Sequence, residues 1–206
     1  STAQDLSLQV HPNDEQAERM VGKGALGKTE MWVILGAEPG AFLYNGFVVG
    51  YDGQDLAERI RSGRLMEVVH RTEVKPGDVF YIPAGRVHTI GAGLLLAEIQ
   101  QSSDTTYRID DFGRLDDQGK PRDLHLEEAI AVAQCDGPGL PAAPQPLEGL
   151  PGQLLARGPY FECNRFGLKA GEECERSHDG LDSPVVLMNL SGQAVLRHRS
   201  GQRVVN

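Results

Sequence analysis

The chain has 206 residues, 40% hydrophobic and 24% charged, enough for one large β-rich domain or two small ones. A formal charge of -9 argues against non-specific nucleic-acid binding, and no apolar run is long enough to span a bilayer. Cys135, Cys163 and Cys174 form neither a set of pairs nor a CxxC unit, which reads as reduced thiols in a cytoplasmic protein.

In chain order, residues 5–15 (DLSLQVHPNDE) open as a strand, in which Gln9 and His11, two apart, project to the same side. Residues 29–35 split into Glu30, Trp32 and Ile34 against Met31, Val33 and Leu35, the pattern of a strand buried on both faces, so Glu30 lies inside. Around 52–70, Leu56, Ile60 and Leu65 recur at near-helical spacing, with Asp52 or Asp55 as cap and Gly63 as stop. A turn at Pro76-Gly77 leads into a strand over 79–82, and the turn Pro83-Ala84-Gly85 delivers His88. The next strand, 94–100, puts Leu94, Leu96, Glu98 and Gln100 on one face. A helix is predicted over 124–133 with Asp123 as its cap.

Residues 135–152 collect Pro138, Pro141, Pro144, Pro146 and Pro151 with four glycines, the composition of an extended linker. Strand patterning returns at 160–168 and 184–198. The domains expected are therefore a metal-binding catalytic unit at 1–134, the linker 135–152, and a β-rich block at 153–206 that reads as cut short. Both chain ends read as the interior of a longer protein. Many short strands joined by Pro-Gly turns point to a mainly β fold, a cupin-type jelly-roll barrel with a short helical insertion, whose interior collects side chains from separate strands.

Gln9, His11, Glu30 and His88 supply an amide oxygen, two imidazole nitrogens and a carboxylate, a set able to hold one divalent metal. Zn²⁺ suits it, and Mn²⁺, Fe²⁺ or Co²⁺ fit the same donors. A single histidine near a strand end is usually structural, and Glu30 has a bland alternative as a barrel carboxylate paired with Lys28. His70, His125, His178 and His198 lack companions and read as surface or helix residues.

The runs LQVHP (8–12), GKTEMW (27–32), IPAGRVHTIG (82–91) and EIQQSSDTTYR (98–108) closely resemble the type I mannose-6-phosphate isomerases, over about residues 5–134. The resemblance implies one zinc ion per chain on Gln9, His11, Glu30 and His88, with Lys28, Glu98, Asp104 and Arg108 around a small sugar-phosphate substrate. It implies interconversion of mannose 6-phosphate and fructose 6-phosphate through an enediolate. Where relatives often carry an aromatic, this chain has Asp110, and the family's usual N-terminal segment is absent.

The chemistry can be assigned from the residues as well. Proton transfer between C2 and C1 needs a base and an electrophile for the oxygens. Glu98, on a strand face with Leu94 and Leu96, and Asp104, on the loop before Arg108, are the rival bases. Arg108 suits the enediolate or the phosphate, and Lys28 is the other cation available to the phosphate. A non-catalytic sugar-phosphate-binding cupin and an Fe²⁺ cupin oxidoreductase are the competing readings.

Overall fold

The computed structural model describes residues 4–177, 180–198 and 201–205. The chain divides into two compact units, Ser1–Gly167 and Leu168–Asn206. The division falls at 167/168, so residues 135–167 belong to the same unit as the first strands.

In the first unit the elements run β1 (Leu8–Val10), α1 (Asp14–Met20), β2 (Glu30–Ala37), β3 (Phe42–Phe47), α2 (Leu56–Arg61), β4 (Val69–Glu73), β5 (Val79–Ile82), β6 (His88–Ile90), β7 (Leu94–Gln100), β8 (Tyr107–Asp110), α3 (Leu126–Val132), β9 (Gln145–Pro146), β10 (Gly152–Arg157) and β11 (Glu162–Phe166). Strand pairing is antiparallel throughout. One sheet is ordered β4-β3-β6-β1-β8, a second β5-β2-β7 and a third β11-β10-β9. The fold is thus mainly β, of the cupin-like kind the turn-rich pattern predicts.

Alternation along each strand builds the layers. Trp32 and Ile34 of β2 meet Leu43, Phe80, Ile82, Ile90 and Leu94 in an interior between the first two sheets. The opposite side of β2, Met31 and Val33, is closed by Val79 with Leu155 and Ala156 of β10. Both faces of β2 are therefore buried, as its double apolar pattern implies. Outside the five-stranded sheet, Leu8, Val10, Tyr107 and Ile109 pack with Leu56, Ile60, Ala129 and Val132 of α2 and α3. In β7, Glu98 stands opposite Trp32 and Gln100 opposite Glu30, which confirms the face assigned to them.

Several local expectations are corrected. The opening run does not continue as a strand: α1 starts at Asp14 because Asn13 accepts from the Gln16 N–H while the Gln16 side chain accepts from the Asn13 N–H, a full capping box. Asp55 occupies the N-cap of α2 but does not cap it, since its carboxylate takes Tyr51 Oη–H and Arg59 Nε instead. His125, not Asp123, sits at the N-cap of α3, and the Asp123 carbonyl accepts from Arg108. Arg108 itself lies on strand β8.

The Pro-rich stretch joins ladders as well. Its remaining N–H groups donate, Gly139 to Asn45 O and Ala142 to Val79 O, while Gly137 O accepts from Phe47. Because Asn45 and Val79 belong to different sheets, the stretch straps one to the other. Proline removes its own donor but leaves its neighbours' donors free. In the second unit, the strand patterning of 184–198 condenses to β12 (Ala194–His198), which pairs with β13 (Gly201–Val205). His178 lies outside the described residues. The three cysteines are unpaired, and among the described residues no helix is long and apolar enough to cross a membrane.

Candidate metal centre and its rim

Gln9 of β1 and Asn45 of β3 both stand opposite His88 of β6 in the sheet, so Gln9 and His88 share the inward face. His11, one step past β1, keeps that side, and Glu30 enters from the facing sheet at the start of β2. His11, Glu30 and His88 are each only 1% exposed, and one ligand atom from each lies within 4.8 Å of the others. Gln9 joins them, its Nε2 3.3 Å from His88 Nε2 and 3.5 Å from His11 Nε2.

The orientation of each group is fixed from behind. His11 Nδ1–H donates to Thr105 O at 2.9 Å, and His88 Nδ1–H donates to Arg86 O at 2.8 Å, so both rings turn Nε2 inward. Trp32 Nε1–H holds Glu30 Oε2 at 3.0 Å. A half-turn of the Gln9 amide exchanges its nitrogen for Oε1 at the centre, with Ser7 Oγ able to serve either end.

This donor set fits a cation. With Nδ1 carrying the proton, His11 Nε2 presents a lone pair 3.1 Å from Glu30 Oε1, and two facing lone pairs repel unless a positive centre lies between them. Glu30 Oε1 is buried and accepts no well-directed hydrogen bond, although Lys28 Nζ stands 2.7 Å away. Burial pulls the His88 pKa down to about 4, against the opposing pull of Glu30, and leaves a neutral imidazole. Burial alone would raise the Glu30 pKa, but its neighbours His11, His88 and Lys28 together hold it below the ordinary carboxylate range.

Lys28 and Glu98 form the rim. Lys28 Nζ lies 3.7 Å from Glu98 Oε1, whose side chain is 31% exposed. Burial, then the charge on Glu30, lifts the Glu98 pKa to about 7, with Lys28 opposing. A carboxyl group in that range can both take and return a proton near neutral pH.

The other two residues stand apart. Asp104 is exposed, and among the described residues it makes no ion pair with Arg108. Arg108 faces Gln9 across the β1/β8 pairing but sends Nη1 to the Asp123 carbonyl at 2.8 Å. Asp104 and Arg108 are therefore not tied to one another by an ion pair.

Sequence reasoning missed Asp14. Its Oδ1 accepts from Gly27 N–H at 2.8 Å and Gln101 Nε2 at 3.0 Å, and its Oδ2 from Tyr160 Oη–H at 2.8 Å. It thereby ties the segment before Lys28 to the end of β7. Gly27 packs so closely there that a Cβ would come within 2.4 Å of the Asn13 carbonyl carbon. The only sequence signal was the Asn-x-x-Gln box, which sets Asp14 at the first position of α1.

The fold and site together define an antiparallel β protein with a buried His/Glu/His cluster whose donors could hold a metal ion. No family model matches the chain. It is 36% identical over 209 residues to mannose-6-phosphate isomerase ManA of Bacillus subtilis, covering 98% of this chain and 65% of that protein. It is 37% identical over 193 residues to a mannose-6-phosphate isomerase of Streptococcus mutans, covering 91% of this chain and 58% of that protein. The crystal structure of the Bacillus subtilis mannose 6-phosphate isomerase superposes with a TM-score of 0.69 at 34% identity, over 78% of this chain and 51% of that one. The chain is a homologue of the mannose-6-phosphate isomerases and spans about three fifths of the length of these two sequence relatives.

Proposed function

We propose that this chain carries the metal and proton-transfer centre of an aldose–ketose isomerase that interconverts mannose 6-phosphate and fructose 6-phosphate. The observation that carries the reading is the buried convergence of Gln9, His11, Glu30 and His88 with Lys28 and Glu98 at its rim, in a homologue of enzymes so named. Gln9 Oε1, His11 Nε2, Glu30 Oε1 and His88 Nε2 would hold one divalent ion. Zinc is the first choice for two imidazoles and a carboxylate. Such an ion, when bound, polarises the substrate oxygens by several kcal/mol.

The chain's own groups do the rest. Glu98 takes a proton from one of the two carbons and returns it to the other, its raised pKa matched to both halves of the transfer. Lys28, between Glu30 and Glu98, donates to a substrate oxygen and steadies negative charge as it grows. The buried apolar wall of Trp32, Ile34 and Phe80 limits water in the centre. Glu98 is favoured over Asp104 as base because it contacts Lys28 at the rim, whereas no contact links Asp104 to the cluster among the described residues.

A coupled isomerase assay on the complete gene product, with and without chelator and with metal analysis, tests this reading. Chelator-sensitive turnover with about one zinc per chain is the expected result. Bound zinc without turnover would favour a sugar-phosphate-binding protein, and iron with oxygen uptake an oxidoreductase.

A further inference from the structure

The turn at residues 83–86 touches both imidazole-bearing residues of the centre. Gly85 N–H donates to the His11 carbonyl at 2.8 Å, and the Arg86 carbonyl accepts His88 Nδ1–H at 2.8 Å. That carbonyl selects the His88 tautomer, because a proton held on Nδ1 leaves the Nε2 lone pair facing inward. The selection is only as firm as the turn that carries the carbonyl. Within the turn, Arg86 N–H reaches Pro83 O at 3.2 Å, the long end of the hydrogen-bond range. Turns between strands are among the more readily opened parts of a fold.

The segment that leaves α3 grips this turn from behind. Gln134 N–H donates to the Gly85 carbonyl at 2.8 Å, and Gly85, at a φ of +87°, lies so near Gln134 that a Cβ would come within 2.9 Å of its side chain. Two residues on, Asp136 Oδ2 accepts from Arg86 Nε–H at 3.1 Å, and Arg86 Nη2 donates to the same oxygen. The following residues run onto β3, where Gly137 O accepts from Phe47 N–H and Gly139 N–H donates to Asn45 O. Asn45 is the residue paired with His88 across β3 and β6. Residues 134–139 therefore hold Arg86 by its side chain and the strand beside His88 by its backbone. Arg86 and Asp136 are both partly exposed, and a pair of that kind adds little to global stability. Its effect is local, on where the Arg86 carbonyl stands.

We propose that Arg86 and Asp136 are positioning residues for the centre: their ion pair fixes the Arg86 carbonyl and, through it, the tautomer and direction of the His88 ring. The proposal rests on the metal-centre reading for what that ring holds. The pair acts through His88 and not by contact with the ion. A ring free to rotate, or to move its proton to Nε2, offers the ion no lone pair in the right place. Release of the clamp thus weakens binding without removing any donor.

The test uses the complete gene product with Asp136→Ala, Asp136→Glu and Arg86→Ala. Asp136→Ala is expected to weaken Zn²⁺ binding about tenfold in a chelator-competition titration and to shift the visible absorption of the Co²⁺-loaded protein. The Tm of the metal-free protein should stay within about 4 °C of wild type. Asp136→Glu keeps the charge and should recover most of the lost affinity. In the Arg86→Ala background, Asp136→Ala should add little further loss, because both changes break one pair. Unchanged Zn²⁺ affinity in Asp136→Ala overturns the proposal. So does a larger fall in Tm with no recovery in Asp136→Glu, which marks general damage. If the wild-type protein binds neither ion, the metal-centre reading fails on its own. The clamp is then judged in the metal-free protein by the nitrogen NMR shifts of the His88 ring, which tell the protonated nitrogen from the bare one. A proton on Nδ1 in wild type that becomes shared between the two nitrogens in Asp136→Ala supports the clamp, and identical spectra overturn it.

Discussion

At the residue scale, the central fact is a pair of lone pairs, His11 Nε2 and Glu30 Oε1, brought to 3.1 Å in a place water barely reaches. Removing either side chain dismantles that arrangement. His88→Ala and Glu30→Ala are expected to lose bound metal and turnover together, read by metal analysis and the coupled assay on the same samples. Full turnover with metal retained in either variant would contradict the assignment. For the proton carrier, Glu98→Gln should abolish exchange of the substrate C2 hydrogen with solvent, while Asp104→Asn should retain it; mass spectrometry of product formed in heavy water distinguishes them. The four positions of the candidate centre were legible because each lies in a strand or turn whose direction short patterns specify. The partner of Arg108 was not, since its direction depends on the irregular segment before α3 that carries the Asp123 carbonyl and has no periodic signal.

At the element scale, α1 does more than fill space. Seven residues long, it projects Asp14 into the junction between the Gly27-Lys28 segment and Gln101. Asp14→Ala should lower kcat about tenfold with metal content unchanged, because Lys28 loses its fixed approach while Gln9, His11, Glu30 and His88 keep theirs. Asp14→Asn, which still accepts the Gly27 N–H, should recover part of that loss. Equal effects on kcat and metal content would indicate general damage instead. Strands β2, β5 and β7 were readable from their apolar alternation. Helix α1 was hidden because its two-turn length gives too little repeat to see, and its capping box involves Asn and Gln rather than the commoner Ser and Glu. The caps assigned to α2 and α3 failed for a related reason: the acidic side chain at the start of α2 and the carbonyl before α3 had stronger partners in tertiary contacts.

At the scale of the whole molecule, acid stability has an identifiable component. Hydrogen bonds from Arg122 outweigh burial and, with Arg114, hold the buried Asp111 carboxyl below its ordinary pKa. A depressed folded pKa contributes stability that is fully present above the unfolded carboxylate value of about 4 and is lost as pH falls toward the folded one. Asp111→Asn should therefore cost about 2 kcal/mol at neutral pH, with the gap to wild type narrowing below about pH 4. Thermal melts across that window measure it; a gap independent of pH would show that the charge is not responsible. The layering of the first unit was only half visible in the sequence. Composition marks 135–152 as extended, but the carbonyls and N–H groups by which it straps two sheets depend on where those sheets lie.

Strand β2 lies between two hydrogen-bonded neighbours, with apolar cover on either side. Its amides should be among the slowest in the molecule to exchange with deuterium, opening only in global unfolding. The strand that presents Glu30 would then be among the last parts to let go. On heating, loss of the centre and collapse of the barrel should register as one cooperative event rather than two.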